Sequence, residues 1–193
     1  MVVKEMAALS HDPLLPRGVQ IEEESFSEPW TTADFQFVAA DDRAVNLGLW
    51  RGDHLVGYAI AFDEAGELHL ASLAIEESYR RRGWGSHLLT QVMANAVKRG
   101  CRSCWLEVRE SNRPGQELYR KHEFEVTGAK RHFYTCPVED AVVMERQLAS
   151  IYREATGRKG GRPESAKWDS AIELRTKRQP GGTNGRSKPQ IGT

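Results

Sequence analysis

The apolar and polar positions divide the first 150 residues into a regular series of strands and helices. Leu55-Val56-Gly57-Tyr58-Ala59-Ile60 is an apolar run of strand length. Arg51-Gly52-Asp53 separates it from an earlier run, so residues 44–51 and 54–62 are expected to form a hairpin. Residues 67–75 read as the next strand. Trp84, Leu88, Leu89, Val92, Met93, Ala96 and Val97 then fall at i, i+4, i+5, i+8, i+9, i+12 and i+13, the spacing of one helical face. A strand follows at 101–109 and a short helix at 112–122, with Pro114 near its start, where the missing N–H costs nothing. Two strands around 124–134 and 139–147 close the series, and a short strand near 2–6 and helical stretches over 16–25 and 31–38 open it. The order predicts an α/β protein, a mixed sheet flanked by helices, without internal repeats.

Composition adds a boundary near residue 150. The chain has 193 residues and no net charge, but the charge is unevenly placed. Residues 1–150 hold 17 Lys+Arg against 23 Asp+Glu, and residues 151–193 hold 10 against 4. From Arg153 onward there are seven glycines, three prolines and one aromatic residue, Trp168, too little to build a core. The expectation is a folded domain over 1–150 and a disordered basic tail over 151–193. Within the tail only 165–175 has helical spacing, a stretch that could fold on a partner. An arm making weak contact with RNA or a ribosomal particle is its functional reading; a solubilising tail is the plainer one and is favoured. The acidic body suits a basic peptide through steering and local attraction, and Glu22-Glu23-Glu24 and Glu28, before Trp30, add to its charge.

Several classes fall away. The N-terminus lacks a basic segment followed by an apolar stretch, and no apolar run approaches membrane-spanning length, so neither export nor a membrane is expected. Three cysteines fit a reducing cytoplasm. Cys101 and Cys104, spaced to face opposite sides of a strand, read as core thiols, and no ligand spacing for a metal appears.

Chemistry concentrates where the 67–75 strand turns into the following helix through Arg80-Arg81-Arg82-Gly83-Trp84-Gly85-Ser86. The unpaired N–H groups of a helix start, its positive dipole end and three arginines suit an anion such as a pyrophosphate. Gly83 and Gly85 allow the backbone to approach closely. The run lacks the Gly-Lys-Ser/Thr ending of a nucleotide P-loop and the third glycine of a dinucleotide fingerprint. The bland account is a tight turn on a basic surface.

Arg80, Gly83 and Gly85 fill the Gln/Arg-x-x-Gly-x-Gly/Ala pattern of the GNAT superfamily of N-acetyltransferases, which the chain resembles. The likeness narrows to the RimI family of ribosomal-protein N-terminal-alanine acetyltransferases. It is carried by Trp105-Leu106-Glu107-Val108-Arg109-Glu110-Ser111-Asn112, Leu118-Tyr119, Phe124, Arg131-His132-Phe133-Tyr134 and Glu139-Asp140-Ala141-Val142-Val143-Met144. Phe26-Ser27-Glu28-Pro29-Trp30 resembles that family's Phe-x-x-Pro-Trp element. The resemblance spans roughly residues 20–148 and implies the GNAT fold, acetyl-CoA as co-substrate, no metal and a protein N-terminus as acceptor. An alanine-initiated small-subunit ribosomal protein is the acceptor it points to.

Amine acetylation needs a neutral amine and a proton for the departing thiolate, whose pKas are about 7.7–8.0 and 8.5. Glu107 is the candidate base and Tyr119 the candidate acid, at the twelve-residue separation of the family's pair. The resemblance further places Leu73, Ala74, Ile75, residues 80–86 and Asn112 at the cofactor, and Trp30, Phe133 and Tyr134 at the acceptor groove. Plainer readings stand beside these: Glu107 as a solvated strand end, Tyr119 as core, Asn112 as a helix cap. His69 and Glu67 are reserve bases. The alternatives are a GNAT enzyme acting on a lysine or small amine, and a non-catalytic acyl-CoA-binding module. One departure concerns Glu123, which stands where the family has a glycine closing the Tyr119 helix; a distorted or extended helix end is expected there.

Overall fold

The computed structural model describes residues 1–6, 15–148 and 190–191. The elements are β1 (Val2–Glu5), α1 (Leu15–Ser25), α2 (Thr32–Ala39), β2 (Ala44–Arg51), β3 (His54–Asp63), β4 (Glu67–Ile75), α3 (Trp84–Lys98), β5 (Ser103–Arg109), α4 (Arg113–Lys121), β6 (Glu125–Thr135), β7 (Val138–Gln147) and β8 (Gln190–Ile191). They form one mixed sheet in the order β1-β2-β3-β4-β5-β7-β6, with β8 against β4. Pairing is antiparallel except between β4 and β5 and between β4 and β8.

Each face of the sheet carries its own core. On one, Leu88, Leu89, Val92, Met93 and Ala96 of α3 pack with Leu68, Leu70, Leu106, Val108, Tyr119 and Met144. On the other, Ile21, Trp30, Phe35 and Val38 pack with Tyr58, Ile60, Ala71 and Ala74. α2 starts with a capping box: Asp34 N–H donates to the Thr31 side chain, and the Asp34 side chain accepts from Thr31 N–H.

The feature that positions the site is a β-bulge in β4. Ile60 pairs with Ser72 and Ala61 with Leu70, leaving Ala71 as the extra residue. Alternation slips by one there, so Leu68, Leu70, Leu73 and Ile75 all join the α3-side core. The β4–β5 ladder runs only from Glu67↔Ser103 to His69↔Trp105, ending just before the bulge. Beyond it, Gln190 and Ile191 pair with Ser72 and Leu73 and lie beside β5, so β8 sits in the gap.

Gln190–Ile191, within the stretch expected to be a disordered tail, form this short strand; residues 149–189 and 192–193, including the 165–175 stretch, lie outside the described residues. One correction concerns Cys101. It precedes β5 rather than lying on it, and its thiol shares one core cluster with that of Cys104. Both are free and buried, and burial pushes the Cys101 thiol up to about 11, as suits an inert core thiol.

α4 ends without distortion, contrary to expectation. Glu123 takes the left-handed conformation itself, φ 61°. Phe124 N–H donates to Tyr119 O (3.0 Å) and Glu123 N–H to Arg120 O (2.9 Å), closing the helix as a glycine would. The Glu123 side chain, largely exposed, accepts from Arg146 Nη2 at 2.5 Å. Glu123→Gly should raise stability by about 1 kcal/mol by relieving the left-handed strain, since so exposed an ion pair contributes little. The measurement is a thermal midpoint roughly 2–4 °C higher.

Candidate active site

Alternation along β5 sends Leu106 and Val108 to the α3 side and Glu107 to the other face. There the Glu107 carboxylate is 1% exposed and engaged at both oxygens. His69 Nε2 lies 2.8 Å from Oε2, and Lys130 Nζ, from β6, donates to Oε1 at 2.5 Å. The His69 ring stacks on Trp105 (3.9 Å between centroids, 7°), which fixes its orientation. Lys130 Nζ lies 5.6 Å from the Trp105 ring centroid and 5.1 Å from that of Phe133, so its ammonium rests between a carboxylate and two π-faces. Burial pushes the Glu107 carboxyl upward, but His69 and Lys130 outweigh it and hold it below the usual carboxylate range. His69 is thus the partner of Glu107 rather than a separate base; its Nδ1 lies 3.9 Å from Glu64 Oε1. Glu67, the other reserve base, begins β4 opposite Ser103.

Tyr119 reaches the same region from the α3 side. It is fully buried, packed edge-on to Phe124 at 5.7 Å, and its hydroxyl has no hydrogen-bond partner among the described residues. Burial, with Tyr134 and Cys104 nearby, pushes the phenol well above its ordinary value, so it stays protonated throughout the working range. Tyr134 lies electrostatically between the pair: it acts on Tyr119, and Glu107 acts on it. Its own buried hydroxyl is also unpartnered. The carboxylate and the phenol therefore belong to opposite faces of the sheet, at the end where β4 and β5 part.

The sequence-predicted acceptor residues divide. Phe133 is half-buried beneath Lys130, with its ring 5.1 Å from that of Tyr134. Trp30 is instead a core residue, 6% exposed and edge-on to Phe35. Arg109, unremarked in the sequence beyond its place in a motif, clamps this side together. Its guanidinium donates to Ser27 Oγ (2.9 Å), Glu28 Oε2 (3.2 Å), Glu139 Oε2 (3.1 Å) and the Cys136 and Pro137 carbonyls, and lies 4.1 Å from the Tyr134 ring centroid. The segment before α2 is thereby tied to the β6–β7 turn.

Glu22, on α1, is a second buried carboxyl on the Glu107 face. It accepts from Trp30 N–H (3.1 Å) and Ser72 Oγ (3.3 Å), and Ser72 Oγ lies 3.2 Å from Tyr58 OH. Burial outweighs these bonds and pushes the carboxyl from 4.5 up to about 8. Between those values the folded chain binds a proton that the unfolded chain has released, so stability falls as pH rises through the window. Glu22→Gln should remove a loss on the order of 2–4 kcal/mol between pH 5 and pH 8. The check is urea unfolding of both proteins at the two pH values.

The turn after β4 passes through a short 3-10 segment, Glu77–Tyr79. The Arg80 guanidinium donates to Ile75 O (2.7 Å) and Ser25 Oγ (2.9 Å), bracing the turn against α1. Arg81 (φ 59°) and Arg82 are exposed, the latter 5.9 Å from the Tyr79 ring centroid. Gly83 caps α3 at φ 82° without a side-chain cap, and a Cβ there would meet nothing within 4 Å. The first N–H groups of α3, at Trp84, Gly85 and Ser86, have no acceptor within the helix. The Ser86 hydroxyl lies 2.6 Å from His122 Nε2, joining α3 to α4. Leu73, Ala74 and Ile75 are buried strand residues, and Asn112 Oδ1 accepts from Gly115 N–H at 3.0 Å as the α4 cap.

Among the described residues no cluster of three or more His, Cys, Asp or Glu could hold a metal, and no helix is long and apolar enough to cross a membrane.

Residues 15–124 match the "Acetyltransferase (GNAT) family" profile. The ribosomal protein bS18-alanine N-acetyltransferase of Salmonella typhimurium is 33% identical over 132 residues, which is 67% of this chain and 88% of that one. The crystal structure of the ribosomal-protein-S18-alanine N-acetyltransferase from Escherichia coli superposes with a TM-score of 0.69 at 28% identity, covering 76% of this chain and 93% of that chain. Arabidopsis thaliana NAA60 in complex with acetyl-CoA shares the fold at 19% identity, with a TM-score of 0.66 and 77% and 98% coverage.

Proposed function

The chain belongs to the acetyltransferase (GNAT) family, and on that premise we propose that it moves acetyl from acetyl-CoA to the α-amine of a protein N-terminus. The acceptor class is an alanine-initiated ribosomal protein, the one named for its relatives at 33% and 31% identity. The observation that carries the reading is the pair Glu107 and Tyr119: a buried carboxylate already facing an ammonium on one face, a buried phenol with an unspent hydroxyl on the other.

Acetyl-CoA supplies an acetyl group activated as a thioester. The residues present fit it. The uncapped start of α3, Gly83 and the exposed Arg81 and Arg82 suit its pyrophosphate. The β4 edge from Ser72 to Ile75, beyond the β4–β5 ladder, offers backbone groups to its amide arm; Gln190–Ile191 would have to yield that edge. Arg80 acts by bracing the turn.

Glu107 takes the proton from the acceptor ammonium, directly or through one water, and His69 holds the carboxylate in place. Tyr119 gives a hydrogen bond to the sulfur as negative charge develops there. A phenol pushed above its ordinary value is a reluctant proton donor, so this hydrogen bond matters more than early transfer. The activity belongs to residues 1–150.

The test is a peptide that begins with alanine and carries internal lysines, incubated with enzyme and acetyl-CoA and then fragmented by mass spectrometry. Acetyl on the α-amine is expected. Acetyl on a lysine would replace this acceptor class with another.

A further inference from the structure

Resting on the function just proposed, we propose that Lys130 is a self-acetylation site: its amine accepts an acetyl group from acetyl-CoA when no acceptor N-terminus occupies the pocket. A nitrogen that is to be acetylated must lie within hydrogen-bond reach of the base that deprotonates it. Lys130 Nζ is 2.5 Å from Glu107 Oε1. The Trp105 and Phe133 rings hold the ammonium there, and the side chain is 26% exposed, so the nitrogen is neither sealed in the core nor loose in solvent. Lys4, Lys98 and Lys121 are exposed, and among the described residues none of them forms an ion pair with a carboxylate. The ammonium that an acceptor would bring to Glu107 is already present, supplied by the chain itself.

The step balances. Glu107 takes one proton from the ammonium and releases it to solvent. The freed Nζ lone pair forms the N–C bond to the acetyl carbon, and the C–S bond breaks. The second amine proton ends on the sulfur, giving free CoA thiol and a neutral acetyl-lysine. Self-acetylation should be slower than peptide turnover, because lysine amines as a class hold their proton more tightly than α-amines. The product removes the cation from Glu107 Oε1 and leaves an amide where the acceptor nitrogen must enter, which would slow turnover of the modified enzyme.

The experiment incubates the full chain with acetyl-CoA and no peptide, and maps acetyl-lysine by mass spectrometry over time. Lys130 is expected to be modified ahead of Lys4, Lys98 and Lys121, at a fractional rate independent of protein concentration. Added acceptor peptide should slow the modification, and Glu107→Gln should abolish it. A second readout needs no acetyl-CoA: carbon-13 NMR of the purified modified protein should show the Glu107 carboxyl titrating at higher pH than in the unmodified one. Modification that follows exposure, with Lys4, Lys98 and Lys121 first, would overturn the proposal, as would a fractional rate proportional to protein concentration. Normal peptide acetylation with Lys130 untouched would overturn this inference alone. Absence of peptide acetylation, Lys130 modification and CoA binding would overturn the proposed function together with it.

Discussion

Replacing Glu107 with glutamine is expected to lower kcat by about 10²–10⁴-fold, the usual worth of a positioned general base, while leaving CoA affinity within twofold. The separation follows from the fold. Glu107 lies on the face away from α3, whereas the helix start suited to a pyrophosphate and Gly83 lie at the N-terminus of α3. The pH profile should carry the same signature. His69 and Lys130 hold the Glu107 carboxyl below the usual carboxylate range, so the base is ionised wherever the enzyme is assayed. The wild-type rate should therefore rise with pH as the acceptor amine itself loses its proton near 7.7–8.0, with no inflection from Glu107 in the assayed range. Stability follows the same sign. A carboxyl with a lowered folded value stabilises above its unfolded value, and the contribution is lost as pH falls through the folded one. Steady-state kinetics from pH 6 to 9, with calorimetric CoA binding, check both parts.

Tyr119→Phe should lower kcat by about 10²-fold without destabilising the protein. The two effects separate because the hydroxyl is buried and has no hydrogen-bond partner among the described residues. Removing an unsatisfied polar atom of this kind is neutral or stabilising by up to about 1 kcal/mol, while the ring keeps its place against Phe124. A variant that loses activity and keeps or raises its thermal midpoint fits a hydroxyl reserved for the sulfur. A variant that melts earlier, with activity lost only in proportion to folded protein, would return Tyr119 to the ordinary core.

Much of this was legible in the chain because the strands and helices are locally consistent. Alternation and helical spacing locate the hairpin at residues 44–62, β4 and α3 within a residue. The α4 cap at Asn112 follows from its side-chain chemistry. What could not be read depends on partners distant in sequence. The bulge at Ala71 exists only in the register of β3 on β4, and alternation within β4 alone hides it. Lys130 and His69 lie 23 and 38 residues from Glu107, and nothing local to either marks it as a partner. The burial of Trp30 was likewise hidden in its motif: the ring packs into the α1/α2-side core, and its backbone N–H donates to Glu22. Glu123 erred in the other direction. A non-glycine residue was expected to disturb the helix end, but the left-handed conformation is adopted and its side chain reaches Arg146.

In the proposed reaction Glu107 acts on the acceptor nitrogen and Tyr119 on the CoA sulfur, from opposite faces of the sheet, through the gap where β4 and β5 part. The most direct measurement is a crystal structure with an alanine-initiated peptide joined through its α-nitrogen to CoA. The account predicts the peptide on the Glu107 face, the CoA portion along the β4 edge toward Gly83, and the linking atoms in the gap between Glu107 and Tyr119. A conjugate bound wholly on one face, with Glu107 or Tyr119 remote from the linkage, would contradict it.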